Sequence, residues 1–98
     1  MRFEFSPEAK AELEDGVRYY ERQVPGLGRE FRSDVRDALV RLRHWPLAAQ
    51  VERGEIRRLL LSRFPYKLLY AIEADRIYIV AVAHTHRAPE YWVGRNQS

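Results

Sequence analysis

Apolar residues in the first half of the chain recur at helical spacing. Leu13, Val17, Tyr20 and Val24 follow one another at intervals of four, three and four, so they share one face of a helix. The stretch "SPEAK" opens that helix: Ser6 caps it, Pro7 suits its first position, and Glu8 lies at the positive end of the dipole. The spacing predicts an end near Gln23, with Gly16 inside costing about 1 kcal/mol relative to alanine. "VPGLG" (Val24 to Gly28) breaks the pattern. Phe31, Val35, Ala38, Leu39 and Leu42 then mark a second helix from about Leu27 to His44, with an arginine-rich outer face, and Trp45–Pro46 stops it. Ahead of both helices, "RFEF" (Arg2 to Phe5) alternates polar and aromatic residues as a short strand does.

The second half changes period. "IRRLLLSRF" (Ile56 to Phe64) reads as a strand, and Val51 to Arg53 as a short partner turning at Gly54. "FPYKLLYAIE" alternates, with Leu68, Tyr70 and Ile72 on one face and Lys67, Leu69 and Ala71 on the other. Ala74–Asp75 forms a hairpin turn. "RIYIVAVAH" (Arg76 to His84) is the most apolar run and is expected in the middle of the sheet. Beyond Pro89 there is room for one helical turn or an irregular tail. The pattern predicts one α+β domain over residues 1–98, with an N-terminal strand and a two-helix hairpin packed on a C-terminal antiparallel β-sheet. Trp45 is expected in the core or packed at the helix end, and Tyr70 and Tyr78 on the sheet.

Composition narrows the chemistry. Hydrophobic residues make up 46% of the 98, so the chain can bury a modest core. There is no cysteine, which excludes disulfides, thiolate nucleophiles and cysteine metal sites and suits a reducing cytoplasm. The N-terminus has early charges and no apolar h-region, and no apolar run approaches the roughly 20 residues of a membrane span. A cytoplasmic protein with no membrane partner is expected. The net charge of +3 is unevenly placed. Residues 1–49 carry nine basic and nine acidic side chains, residues 50–98 eight and five. No acid lies between Glu55 and Glu73, where Arg57, Arg58, Arg63 and Lys67 fall. Arginine's planar fork suits phosphate or carboxylate.

Four kinds of chemistry can be weighed against these residues. His84 and His86 are two apart and share a face if the strand persists, yet a zinc site needs at least a third protein ligand, His44 lies at a helix end, and no carboxylate cluster surrounds the pair. The serines (Ser6, Ser33, Ser62, Ser98) occupy no nucleophile elbow. Glu12, Glu14 and Asp15 read as a solvated helix face. Phosphate-directed chemistry fits better. Pairing through the Ala74–Asp75 turn sets Glu73 opposite Arg76 and Lys67 opposite about Val82, with His84 one diagonal step away. Arg57 or Arg58, which point to opposite faces, and Arg63 would border that surface. Histidine carries protons near neutral pH, a cation stabilises a phosphorane, and Tyr66, Tyr91 or Trp92 can stack on a base. The same His84 also reads as a hydrogen-bonded strand-end residue.

"YYERQVPGLGREF" (Tyr19 to Phe31), the "R-F-P-Y-x-L-x-Y" segment with its hairpin, and the "A-V-x-H-x-x-R-x-P-x-Y-W" ending, taken in order, resemble the RelE/ParE superfamily of type II toxin–antitoxin toxins. The resemblance covers nearly the whole chain. It implies a small toxin, without cofactor or metal, held inactive by a cognate antitoxin in a hetero-oligomer. RelE-like members cleave mRNA in the ribosomal A site; ParE-like members inhibit DNA gyrase without a catalytic centre. Ribosome-associated, metal-independent mRNA cleavage is the first mechanism the resemblance implies, and gyrase inhibition the alternative. For cleavage, His84, His86, Lys67 and Tyr91 are the candidate catalytic residues, and Arg57, Arg58, Arg63 and Arg87 would bind substrate. Lys67 stands where RelE has arginine, Thr85 occupies a position that is basic there, and RelE's lysine-rich surface is absent. The antitoxin is expected to cover the patch from Arg57 to Lys67.

Overall fold

Ser6 shows how the layers of the molecule are tied. Its Oγ accepts the Ala9 N–H at 3.0 Å, capping a helix, and donates to the Val80 carbonyl at 3.0 Å, fixing that helix to the sheet. The computed structural model describes residues 2–95; Met1 and residues 96–98, Ser98 among them, lie outside that range. The elements are β1 (Arg2–Phe5), α1 (Pro7–Gln23), α2 (Leu27–His44), β2 (Gln50–Arg53), β3 (Ile56–Leu60), β4 (Tyr66–Ile72) and β5 (Arg76–His84). The five strands form one sheet in the order β1-β5-β4-β3-β2. β1 lies parallel to β5 and the other pairs are antiparallel, so the sheet is mixed rather than wholly antiparallel, and β4 rather than β5 is its middle strand.

The helical hairpin forms as its apolar periodicity predicts. Glu21 helps close it by accepting the N–H groups of Gly26 (2.9 Å) and Gly28 (3.1 Å) at the start of α2, donors that have no partner inside the helix. Ala9, Phe31, Val35, Ala38 and Leu42 meet Leu68, Tyr70, Ile77, Ile79 and Val82 in the main core. Tyr20, Phe31, Phe64 and Tyr66 form an aromatic cluster within it, with ring centroids 4.7–5.3 Å apart for Phe31 against Tyr66 and Tyr20. β3 ends at Leu60 rather than continuing to Phe64. The fully buried Asp34 accepts the N–H groups of Arg63 (2.9 Å) and Phe64 (3.0 Å) and holds this stretch as a loop. The far face of the sheet has its own core of Ile56, Leu69, Ala71, Val80, Ala81 and Ala83 under Trp92. Tyr70 and Tyr78 pack on the sheet as expected, while Trp45 is 65% exposed and so outside the core, its ring 5.4 Å from that of His44 at the end of α2.

One irregularity decides where the histidines point. Ile72, Ala71 and Tyr70 pair with Ile77, Tyr78 and Ile79, the register that the Ala74–Asp75 turn predicts. Then Leu69 pairs with Ala81, and Val80 is left over as a β-bulge. Beyond it the register has slipped by one, so every later side chain of β5 changes face. Val82 and His84 turn toward the helices, Ala81 and Ala83 toward the far face.

Candidate functional site

The bulge divides the residues that the sequence brings together. Lys67 pairs with Ala83, not Val82, and shares the far face with Leu69 and Ala71. His84 pairs with Tyr66 on the helix face, their rings 5.1 Å apart. His86 lies in the turn after β5, where its backbone N–H donates to His84 Nδ1 (3.1 Å) and its ring sits 5.2 Å from that of His84. Lys67 and His84 do border one recess at the strand end with Arg87 and Tyr91, but its volume is about 10 Å³, too small for a nucleotide. Among the described residues no group of three or more His, Asp or Glu side chains is placed to hold a metal ion.

The expected basic surface is also taken apart, by acids that lie outside the acid-free stretch of sequence. Arg58 (3.1 Å) and Lys67 (3.2 Å) both bind Glu52, which β2 carries to the far face. Burial works against ionising Glu52, yet the hydrogen bonds from Arg58 and Lys67 outweigh it and hold the carboxyl below its usual range. Arg63 lies 3.6 Å from Asp34 and 3.7 Å from Asp37. Arg57 points to the helix face and donates to the carbonyls of Ala49 (2.7 Å) and Leu47 (3.2 Å). Arg57 and Arg58 thus do take opposite faces. Arg87 stacks over the Tyr91 ring at 4.0 Å.

Glu12 organises the region instead, a residue that the sequence reading assigned to a solvated face. β1 covers β5 only as far as Ile79, and past that point no strand among the described residues lies beside the outer edge of β5. Glu12 takes the place of one. Its Oε1 accepts the Val82 N–H (3.0 Å) and the Arg95 guanidinium (3.0 Å), and its Oε2 accepts the Tyr91 hydroxyl (2.7 Å). This carboxylate therefore straps the C-terminal segment round the sheet edge, so that Trp92 lies 3% exposed against the far face. The Tyr91 phenol is pushed well above its usual range, first by burial and then by its bond to Glu12. It is a locked, protonated donor. No local pattern marks Glu12, because its three partners lie seventy or more positions away in the sequence.

Beside this strap a cleft of about 240 Å³ opens between α1 and β5, lined by Asp15, Tyr19, Tyr66, His84 and Arg87 with Glu12 at its base. Two aromatic faces and a histidine suit a ligand with flat apolar surface. Asp15 is exposed and pairs with Arg18, and Glu12 is already occupied, so the cleft does not present the concentrated positive charge that a phosphodiester needs.

The family model of the ParE toxin of type II toxin–antitoxin systems (parDE) matches residues 3–89 of this chain. The chain belongs to the ParE toxin family. The match runs from β1 to just past β5 and stops short of the segment with Tyr91, Trp92 and Arg95, and the superfamily resemblance read from "RFPY" and the "HxxR" ending is met on its ParE side. The fold agrees. A solved structure described as the chromosomal ParDE toxin–antitoxin system from P. aeruginosa superposes with a TM-score of 0.65 at 18% identity, covering 86% of this chain and 95% of that one. No curated protein matches this chain.

Proposed function

We propose that this ParE-family toxin arrests growth by binding and inhibiting DNA gyrase, without a catalytic centre of its own, and that its antitoxin blocks that contact. The observation that carries this reading is the family match over residues 3–89. The disposition of polar groups agrees with it. Lys67 is neutralised on the far face, His84 faces the helices, and the Tyr91 hydroxyl is committed to Glu12. Proton transfer to a substrate needs an acid and a base within hydrogen-bond reach of one scissile bond, and these groups do not converge on one.

The ribonuclease reading keeps one supporting observation, the cleft in which His84 and Arg87 meet Tyr19 and Tyr66. A double substitution separates the two. His84→Ala with Lys67→Ala removes the only histidine of β5 and the lysine of β4 while leaving the core intact. Under gyrase inhibition, cells expressing the folded double variant without antitoxin still stop growing and their messages stay uncut. Loss of arrest, together with A-site cuts in the parent chain, would establish cleavage instead.

A further inference from the structure

Arg29, Arg36 and Arg43 recur at every seventh residue of α2. Seven residues make two turns less about 20°, so the three side chains line up along the helix, over about 21 Å at a rise of about 1.5 Å per residue. The row lies opposite the buried face of Phe31, Val35, Ala38 and Leu42, and all three arginines are exposed. The acids of α2 stand off the line. Glu30 and Asp37 follow Arg29 and Arg36 by one position, about 100° round the helix, and Asp34 is buried against the loop after β3. Among the described residues none of the three arginines pairs with a carboxylate, whereas Arg32, Arg58 and Arg63 all do. Arg43 lies over the Phe3 ring at 4.8 Å, which leaves its charge unneutralised. Among its large apolar residues α2 exposes only Val40.

A helix face that merely meets water mixes its charges and pairs them at i, i+4. This row carries one sign. A stable protein partner needs an apolar centre inside a polar rim, and Val40 alone does not supply one. A straight row of exposed guanidinium groups fits a rigid polyanion instead. Duplex DNA carries one negative charge per about 1.7 Å of its axis, so the row meets phosphate along its whole length. The planar fork of arginine holds phosphate through two parallel hydrogen bonds. We propose that the outer face of α2 rests on the phosphate backbone of duplex DNA, with Arg29, Arg36 and Arg43 as the contacts. This deepens the reading of the chain as a gyrase inhibitor and rests on it, because gyrase is where such a toxin meets duplex DNA. Phosphate contacts carry no base information, so the binding is independent of sequence.

The probe is a short fluorescein-labelled DNA duplex of arbitrary sequence, titrated with the full chain and followed by anisotropy at several salt concentrations. Three phosphate contacts give a log–log salt slope of about −2.7, so a fourfold rise in salt weakens binding about fortyfold. Arg29→Gln, Arg36→Gln and Arg43→Gln each flatten the slope by about 0.9. The triple variant stays folded, since glutamine and arginine have similar helix propensities and the three side chains are exposed. Arg18→Gln makes the same charge change at an exposed arginine of α1 that pairs with Asp15, and it leaves the slope as it was. An equal loss from Arg18→Gln, or a slope that the triple variant does not change, would overturn the proposal. So would tighter binding of polyglutamate or of single-stranded RNA than of the duplex, because the face would then take a different partner. The titration contains no gyrase. A chain that binds the duplex through this row but leaves supercoiling untouched keeps the row and loses the gyrase reading. A chain that inhibits supercoiling, binds no DNA and keeps full potency in the triple variant loses the row alone.

Discussion

Glu12 is one carboxylate with three donors, and its removal leaves the Val82 N–H and the Tyr91 hydroxyl without a partner and Arg95 with only its long bond to the Val80 carbonyl (3.4 Å). An unpaired buried donor costs about 1–3 kcal/mol, so Glu12→Ala should lower stability by about 2–4 kcal/mol, read as a shift in the urea midpoint at unchanged slope. Tyr91→Phe, which removes one of the three bonds, should cost about 1–2 kcal/mol. The tyrosines give a second residue-scale test. Burial, followed by the neighbouring Tyr20, pushes Tyr66 up to about 12 from an ordinary 10.0, and Tyr91 is raised further. A raised folded pKa means the folded state holds its proton more tightly. That advantage is complete below pH 10 and is lost as pH rises through the folded value, because the unfolded chain ionises first. In an alkaline titration the phenolate absorbance should therefore stop short of six tyrosines until the chain unfolds, and Tyr91→Phe should shrink the late step. A full six-tyrosine signal from the folded chain would show that neither phenol is held.

At the scale of elements, periodicity made the helices legible and left the faces of the last strand unread. Leu13, Val17 and Tyr20, then Phe31, Val35 and Leu42, placed both helices within a residue of where they lie. The β4–β5 register follows from the turn as far as Tyr70 and Ile79. The Val80 bulge had no signature in an unbroken apolar run, since valine fits either face of a strand covered on both sides. That single residue moved His84 away from Lys67. Glu12 and Asp34 were hidden for a different reason: their partners are backbone N–H groups about thirty to seventy positions away, beyond the reach of any local pattern. The hairpin itself depends on close approach at Gly28. A Cβ there would lie 2.5 Å from the Val17 carbonyl oxygen, a backbone atom that cannot swing aside. Gly28→Ala should therefore destabilise by about 1–3 kcal/mol, although alanine is favoured in a helix by up to about 1 kcal/mol. Thermal unfolding checks this, and a raised Tm would mean that the two helices separate easily.

For the whole molecule, charge read along the chain differs from charge read in space. The acid-free run from Glu55 to Glu73 suggested a bare cationic sheet, yet Glu52, Asp34 and Asp37 fold onto it. What stays open is a two-sided molecule: a strapped edge with a mixed cleft at His84, and an exposed row of arginines along α2. Such a surface is suited to holding other macromolecules. Its ParE family and its dispersed proton carriers together favour inhibition by binding over cleavage. The most direct measurement is a supercoiling assay with purified gyrase, run beside toeprinting on translating ribosomes with the same preparation of toxin. Loss of supercoiling with stabilised gyrase–DNA complexes and intact messages is the predicted result; unaffected supercoiling with messages cut in the ribosomal A site would contradict it.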